Sequence, residues 1–136
     1  MNAILTKLGE LRLIPVVKIE NAEDAIPLGE ALLEAGLGVA EITFRTDAAE
    51  EAIGRMSKAL PELLVGAGTV LKIIQVQKAV DAGARFIVAP GFNPRIVSFC
   101  VENGYPITPG VNSPTNIEQA LEYDLEVLKF FPAEAS

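Results

Sequence analysis

Residues 63–89 read LLVGAGTVLKIIQVQKAVDAGARFIVA, and they hold one complete cycle of the pattern that decides the fold. A short apolar run at 63–67 gives way to a helical stretch at 73–82. That stretch stops at Gly83, the residue type that ends helices most readily, and a second apolar run follows at 86–89. Short apolar runs with little polar alternation are how strands buried on both faces of a parallel sheet read. The same cycle extends in both directions. Further strands are predicted at 13–19, 39–44, 107–108 and 127–130, and further helices at 22–35, 48–60, 94–103 and 114–123. Gly36 and Gly104 are helix stops. Asp47, Asn93 and Ser113 are candidate N-caps, the last two followed by proline. An amphipathic helix over residues 1–11, with Ile4, Leu5, Leu8 and Leu11 on one stripe, comes first. Strands spaced about 20 to 25 residues apart make a βα repeat, so the chain reads as one α/β domain, residues 1–136, with six parallel strands. Two closures compete: an open doubly wound sheet, or part of a (β/α)8 barrel. No G-x-G-x-x-G follows the first strand, which weakens the dinucleotide-binding form of the open sheet.

Composition narrows the chemistry. Half of the 136 residues are hydrophobic and 21% are charged, enough to bury a core. The net charge of −7 disfavours a nucleic-acid partner. No apolar run is long enough to span a bilayer and no secretory leader is legible, so a cytoplasmic protein without a membrane partner is expected. The single cysteine, Cys100, lies among Ile96, Val97, Phe99 and Val101 and reads as a packing residue. Without any histidine, a Ser-His-Asp triad, a Cys-His pair and the usual zinc sites are excluded.

The residues that can carry chemistry collect where strands give way to helices. Lys129 sits inside the apolar run Val127-Leu-Lys-Phe-Phe131. A lysine there either pairs with a carboxylate or is a nucleophile able to form a Schiff base with a ketone. Glu41, within Val39-Ala-Glu-Ile-Thr-Phe44, is either its structural partner or a general base. Arg45, four residues on, suits bidentate recognition of a carboxylate or is a surface cation. Thr69 follows Gly66-Ala-Gly68, glycines that either make a tight βα turn or let a backbone come close to a ligand.

Taken together, these segments resemble the 2-keto-3-deoxy-6-phosphogluconate (KDPG) and 4-hydroxy-2-oxoglutarate (KHG) aldolases. The matching stretches are Ile14-Pro-Val-Val17, Glu41-Ile-Thr-Phe-Arg-Thr46, Val65-Gly-Ala-Gly-Thr-Val70, Phe86-Ile-Val-Ala-Pro-Gly91, Pro109-Gly-Val111 and Leu128-Lys-Phe-Phe-Pro-Ala-Glu134. The resemblance implies a class I aldehyde-lyase on a (β/α)8 barrel, a homotrimer, with neither metal nor cofactor. It implies that Lys129 is the Schiff-base lysine and Glu41 the acid/base, that Arg45 and Thr69 hold the keto-acid carboxylate, and that Pro90 and Phe131 wall the pocket. The implied reaction is reversible cleavage of KDPG to pyruvate and glyceraldehyde 3-phosphate.

The chain departs from the family in two ways. It carries a first helix and six strands of an eight-stranded, incomplete barrel. It is therefore expected to sit in a homotrimer or larger assembly, or with a chain that completes the barrel. In addition, Lys72-Ile73-Ile74 stands where a Thr or Ser cap is usual, and Tyr123-Asp124 where glycine is usual. Ile73 is expected on the buried stripe with Val76 and Val80, and Ile74 on a solvent face as a candidate contact with another chain. The competing reading is an aldolase-derived scaffold or assembly subunit in which catalysis is incidental or lost.

Overall fold

The computed structural model describes residues 2–135; Met1 and Ser136, the ends of the expected domain, lie outside the described residues. The chain runs α1 (Ala3–Leu11), β1 (Val16–Val17), a 3-10 turn (Ala22–Asp24) leading into α2 (Ala25–Glu34), β2 (Val39–Thr43), α3 (Ala49–Ala59), β3 (Leu64–Gly68) and α4 (Ile73–Ala82). It continues through β4 (Ile87–Val88), α5 (Pro94–Glu102), β5 (Ile107–Thr108), β6 (Gly110–Val111), α6 (Pro114–Leu121) and β7 (Lys129–Phe130). Every strand pairing is parallel. The order is β1-β2-β3-β4-β5 in one ladder and β6-β7 in another. The predicted single strand at 107–108 is thus the first part of an extended segment, 107–111, interrupted at Pro109. Proline has no N–H to give to a ladder, but its carbonyl still accepts from the Lys129 N–H at 3.0 Å, so the segment binds neighbours on both sides.

Strand alternation divides the core in two. On one face Ala40, Ile42, Val65, Ala67, Ile87 and Ile107 meet the helices: Ile53 and Met56 of α3, Val76 and Ala79 of α4, and Ile96, Val97 and Cys100 of α5. On the other face Val39, Leu64, Phe86 and Val88 pack with Leu8 of α1, backed by Ile4, Leu5 and Leu11. The first helix therefore covers the side of the sheet that the other helices do not, using the stripe its spacing predicts. Glu41 and Thr43 alternate with Ile42 and so belong to this second face. No helix among the described residues is long and apolar enough to cross a membrane.

Helix ends follow local chemistry. Gly36, Gly83 and Gly104 close α2, α4 and α5 at φ of +83°, +114° and +72°, the left-handed region glycine enters freely. Asn93 and Ser113 cap α5 and α6, accepting from the backbone N–H groups of Arg95 and Asn116. Two expectations need correction, and of the two readings of the Gly66-Ala-Gly68 run one falls away. Asp47 is not a cap: the residue before α3 is Ala48, and the Ala49 N–H turns back to the Thr46 carbonyl. Ile73 is not on the buried stripe. It is the first residue of α4, and it is exposed while Val76 is fully buried. Gly66 and Gly68 lie within β3 rather than in a turn. Ile74 is solvent-facing, as its spacing predicts. At the start of α4 the missing hydroxyl cap is replaced by Gln75, whose Oε1 accepts from the N–H groups of Leu71 and Lys72 at 2.8 and 3.1 Å. Asp124 takes a φ of +57° at the turn where a glycine is expected.

Candidate active site

Glu41 is the third residue of β2, in register with Val16 on one side and Gly66 on the other. Its side chain is 4% exposed, and its Oε2 has no hydrogen-bond partner. Burial raises its pKa above the ordinary carboxyl value of 4.5, while the positive charges of Lys129 and then Arg45 pull the other way. Two glycines make the space. A Cβ on Gly68 would overlap the Glu41 carboxyl group, and one on Gly66 would overlap the Phe86 ring. The Gly-Ala-Gly run therefore lets a carboxylate and an aromatic ring lie directly against the sheet.

Lys129 opens β7, opposite Gly110. It is half-buried, and its Nζ lies 4.6 Å from the centroid of the Phe131 ring. Gly110 permits a further close approach, since a Cβ there would overlap the Pro90 carbonyl. Glu41 and Lys129 line one cavity of about 820 Å³, with Phe86, Val88 and Thr108 at its wall and residues of α1 across from them. Arg45, Thr69, Pro90 and Phe131 are not part of that lining. Arg45 is exposed just beyond β2, its Nε held by the Thr43 hydroxyl. Thr69 follows β3 with φ of +53°, a conformation unusual for a residue with a Cβ. Pro90 lines a separate hollow with Leu71, Phe92 and Ile96. Phe131 lies beneath the Lys129 ammonium group.

Thr43, Phe86 and Thr108 lie in segments that stand out in the sequence, but nothing there gives them individual roles. A threonine or phenylalanine in a strand is the ordinary composition of strands, and only register shows which of them face the carboxylate. Among the described residues no group of three or more His, Cys, Asp or Glu side chains gathers as a metal site would need. Chemically, the cavity offers an amine, a carboxyl group that holds its proton tightly, and apolar walls.

The chain is similar to known proteins in both sequence and fold. The KDPG and KHG aldolase family model matches residues 4–136, and the chain belongs to this family. It is 51% identical to the 2-dehydro-3-deoxy-phosphogluconate aldolase of Treponema pallidum over 98% of its own length and 64% of that protein's. It is likewise 51% identical to that of Haemophilus influenzae, over 98% of its own length and 63% of that protein's. The chain thus spans a little under two thirds of the length of these curated relatives. Among solved structures it resembles the KDPG aldolase of Legionella pneumophila, which holds pyruvate captured at low pH as a covalent carbinolamine intermediate. The identity is 39% and the TM-score 0.87, over 90% of this chain and 59% of that one.

Proposed function

We propose that this chain is the lysine- and glutamate-bearing part of a class I aldolase that reversibly cleaves 2-keto-3-deoxy-6-phosphogluconate to pyruvate and glyceraldehyde 3-phosphate. The observation that carries the reading is the single cavity lined by Lys129 and by the buried Glu41, whose Oε2 has no hydrogen-bond partner. Residues 1–136 form one domain, the first helix and six strands of a (β/α)8 barrel. The outer edges of β1 and β7 receive the remaining strands, and the assembled protein is a cytoplasmic homotrimer with no nucleic-acid or membrane partner.

In this mechanism the Lys129 amine attacks the substrate ketone, and loss of water gives an iminium. Removal of the proton from the C4 hydroxyl breaks the C3–C4 bond. The aldehyde leaves, and the electron pair is held as an enamine on Lys129. Protonation of the enamine at C3 and hydrolysis of the resulting iminium release pyruvate and restore the lysine. Glu41 accepts and returns these protons, through a bound water where it does not reach directly. Arg45, Thr69, Pro90 and Phe131 stand outside the lining of the cavity that Lys129 and Glu41 share; by the family resemblance, Arg45 and Thr69 hold the keto-acid carboxylate and Pro90 and Phe131 wall the substrate at the strand ends. The iminium is its own electron sink, so the scheme calls on no cofactor.

The test is borohydride trapping. With pyruvate and sodium borohydride, one reduced pyruvate adduct is expected on the peptide containing Lys129, and none in Lys129→Ala. An unmodified chain, or an adduct on another lysine, overturns the reading.

A further inference from the structure

We infer that Thr43 is a positioning residue that aims the Arg45 guanidinium at the carboxylate of the keto-acid substrate. The inference rests on the aldolase reading of Arg45 given above and adds a residue to it. Thr43 is 1% exposed, and among the described residues it and Glu41 are the two buried polar side chains. Its Oγ1 lies 3.0 Å from the Val17 carbonyl oxygen and 3.0 Å from Arg45 Nε. A hydroxyl has one proton to donate. The Val17 carbonyl can only accept and the Arg45 Nε–H can only donate, so the polarity of the pair is fixed: Thr43 donates to Val17 and accepts from Arg45.

This has a geometric consequence. Arg45 is exposed and stands past the last residue of β2, where a long cationic side chain would otherwise sample many rotamers. Holding Nε leaves its two terminal amino groups to meet both oxygens of a carboxylate side by side. Thr43 follows Glu41 by two residues on the strand, on the same face. The tether therefore sets the guanidinium near the end of the site that holds Glu41, whose carboxyl feels the Arg45 charge.

A purely structural role for Thr43 is the tie between β2 and β1, and the Thr46 hydroxyl makes a similar tie just beyond the two strands by donating to the Ile19 carbonyl. The readout must therefore separate carboxylate recognition from folding. The experiment is the concentration dependence of borohydride trapping on Lys129 in the full chain, with pyruvate and with acetone, a ketone lacking the carboxylate. Thr43→Val should raise the half-saturating pyruvate concentration about tenfold and leave acetone trapping unchanged. Thr43→Ser, which keeps the hydroxyl, should restore pyruvate recognition. Arg45→Lys keeps the charge on an exposed side chain but has no Nε for Thr43. It should weaken pyruvate trapping at least as far, because it also removes the paired amino groups, and Thr43→Ala supplies the test of Thr43 if Thr43→Val does not fold. Wild-type affinity for pyruvate in Thr43→Val or Thr43→Ala, or an equal loss with acetone, overturns the role of Thr43 alone, and wild-type affinity in Arg45→Lys overturns the role given to Arg45. Absence of any wild-type adduct overturns the aldolase reading and this inference with it.

Discussion

Glu41 has three influences on its proton, and they do not agree. Burial favours the neutral form, while Lys129 and Arg45 favour the charged one; burial is the largest, and the pKa rises. The consequence for stability has a definite sign. A folded state that binds this proton more tightly than the unfolded chain gains stability in acid, and loses it as pH rises through the raised pKa. Glu41→Gln stays neutral and avoids that loss. The variant should therefore melt at a higher temperature than the wild type at pH 7 to 8, and the two curves should converge below the ordinary carboxyl pKa of 4.5. Thermal unfolding followed across this pH range checks it. A lower melting temperature for the variant at neutral pH would mean that attraction to the two cations outweighs burial. Cys100 makes a simpler case. It is fully buried among the helices, and burial pushes its thiol up to about 12. It should resist iodoacetamide in the native chain at pH 8 and react once the chain is denatured. Both residues were legible in the sequence, because a charge in an apolar strand and a cysteine among aliphatic residues are conspicuous. Thr43 was not, because its importance lies in two hydrogen bonds that only the register of β1 against β2 creates.

The strand β3 shows what local sequence leaves open. Its Gly-Ala-Gly run is compatible with a turn, and a turn is the simpler expectation between a strand and a helix. The structure instead extends β3 through Gly68, because the facing groups, Phe86 and the Glu41 carboxyl, come from distant parts of the chain. Gly68→Ala should destabilise the chain by about 1 to 3 kcal/mol, since a methyl group would enter space the carboxyl occupies. In a Glu41→Ala background most of that cost should disappear, and a double-mutant cycle in urea measures the coupling. A full cost that persists without the Glu41 side chain would place the strain in the backbone. Elsewhere, element boundaries were legible where one residue carries the instruction, as with Gly83 or Ser113. They were not legible at Asp47, where the turn after β2 delays the helix by a residue. At Pro109 the strand survives its missing N–H because the carbonyl still binds Lys129.

Across the molecule, the order of strands follows the order of the chain, and this is why the fold was readable from periodicity. Each βα unit docks beside the one before it. Periodicity says nothing, however, about which face of the sheet the first helix takes. That choice matters: with α1 on the Glu41 side, the cavity has a covered floor. The outer strands carry exposed apolar side chains, Val16 on β1 and Phe130 on β7, at the two edges that the proposed barrel would close. In the proposed function Lys129 and Glu41 work on one bound keto acid within this cavity. Exchange of the pyruvate methyl protons with solvent deuterium, followed by proton NMR, tests it directly. An iminium on Lys129 acidifies the methyl group, a base removes one proton to form the enamine, and a deuteron returns. The wild-type chain should catalyse the exchange. Lys129→Ala should not, and Glu41→Gln should still form the borohydride-trapped adduct while exchanging at least a hundredfold more slowly, the lower end of the range for a positioned acid or base. Exchange that survives in Lys129→Ala, or that proceeds at the wild-type rate in Glu41→Gln, would show that the two residues do not act together on the keto acid.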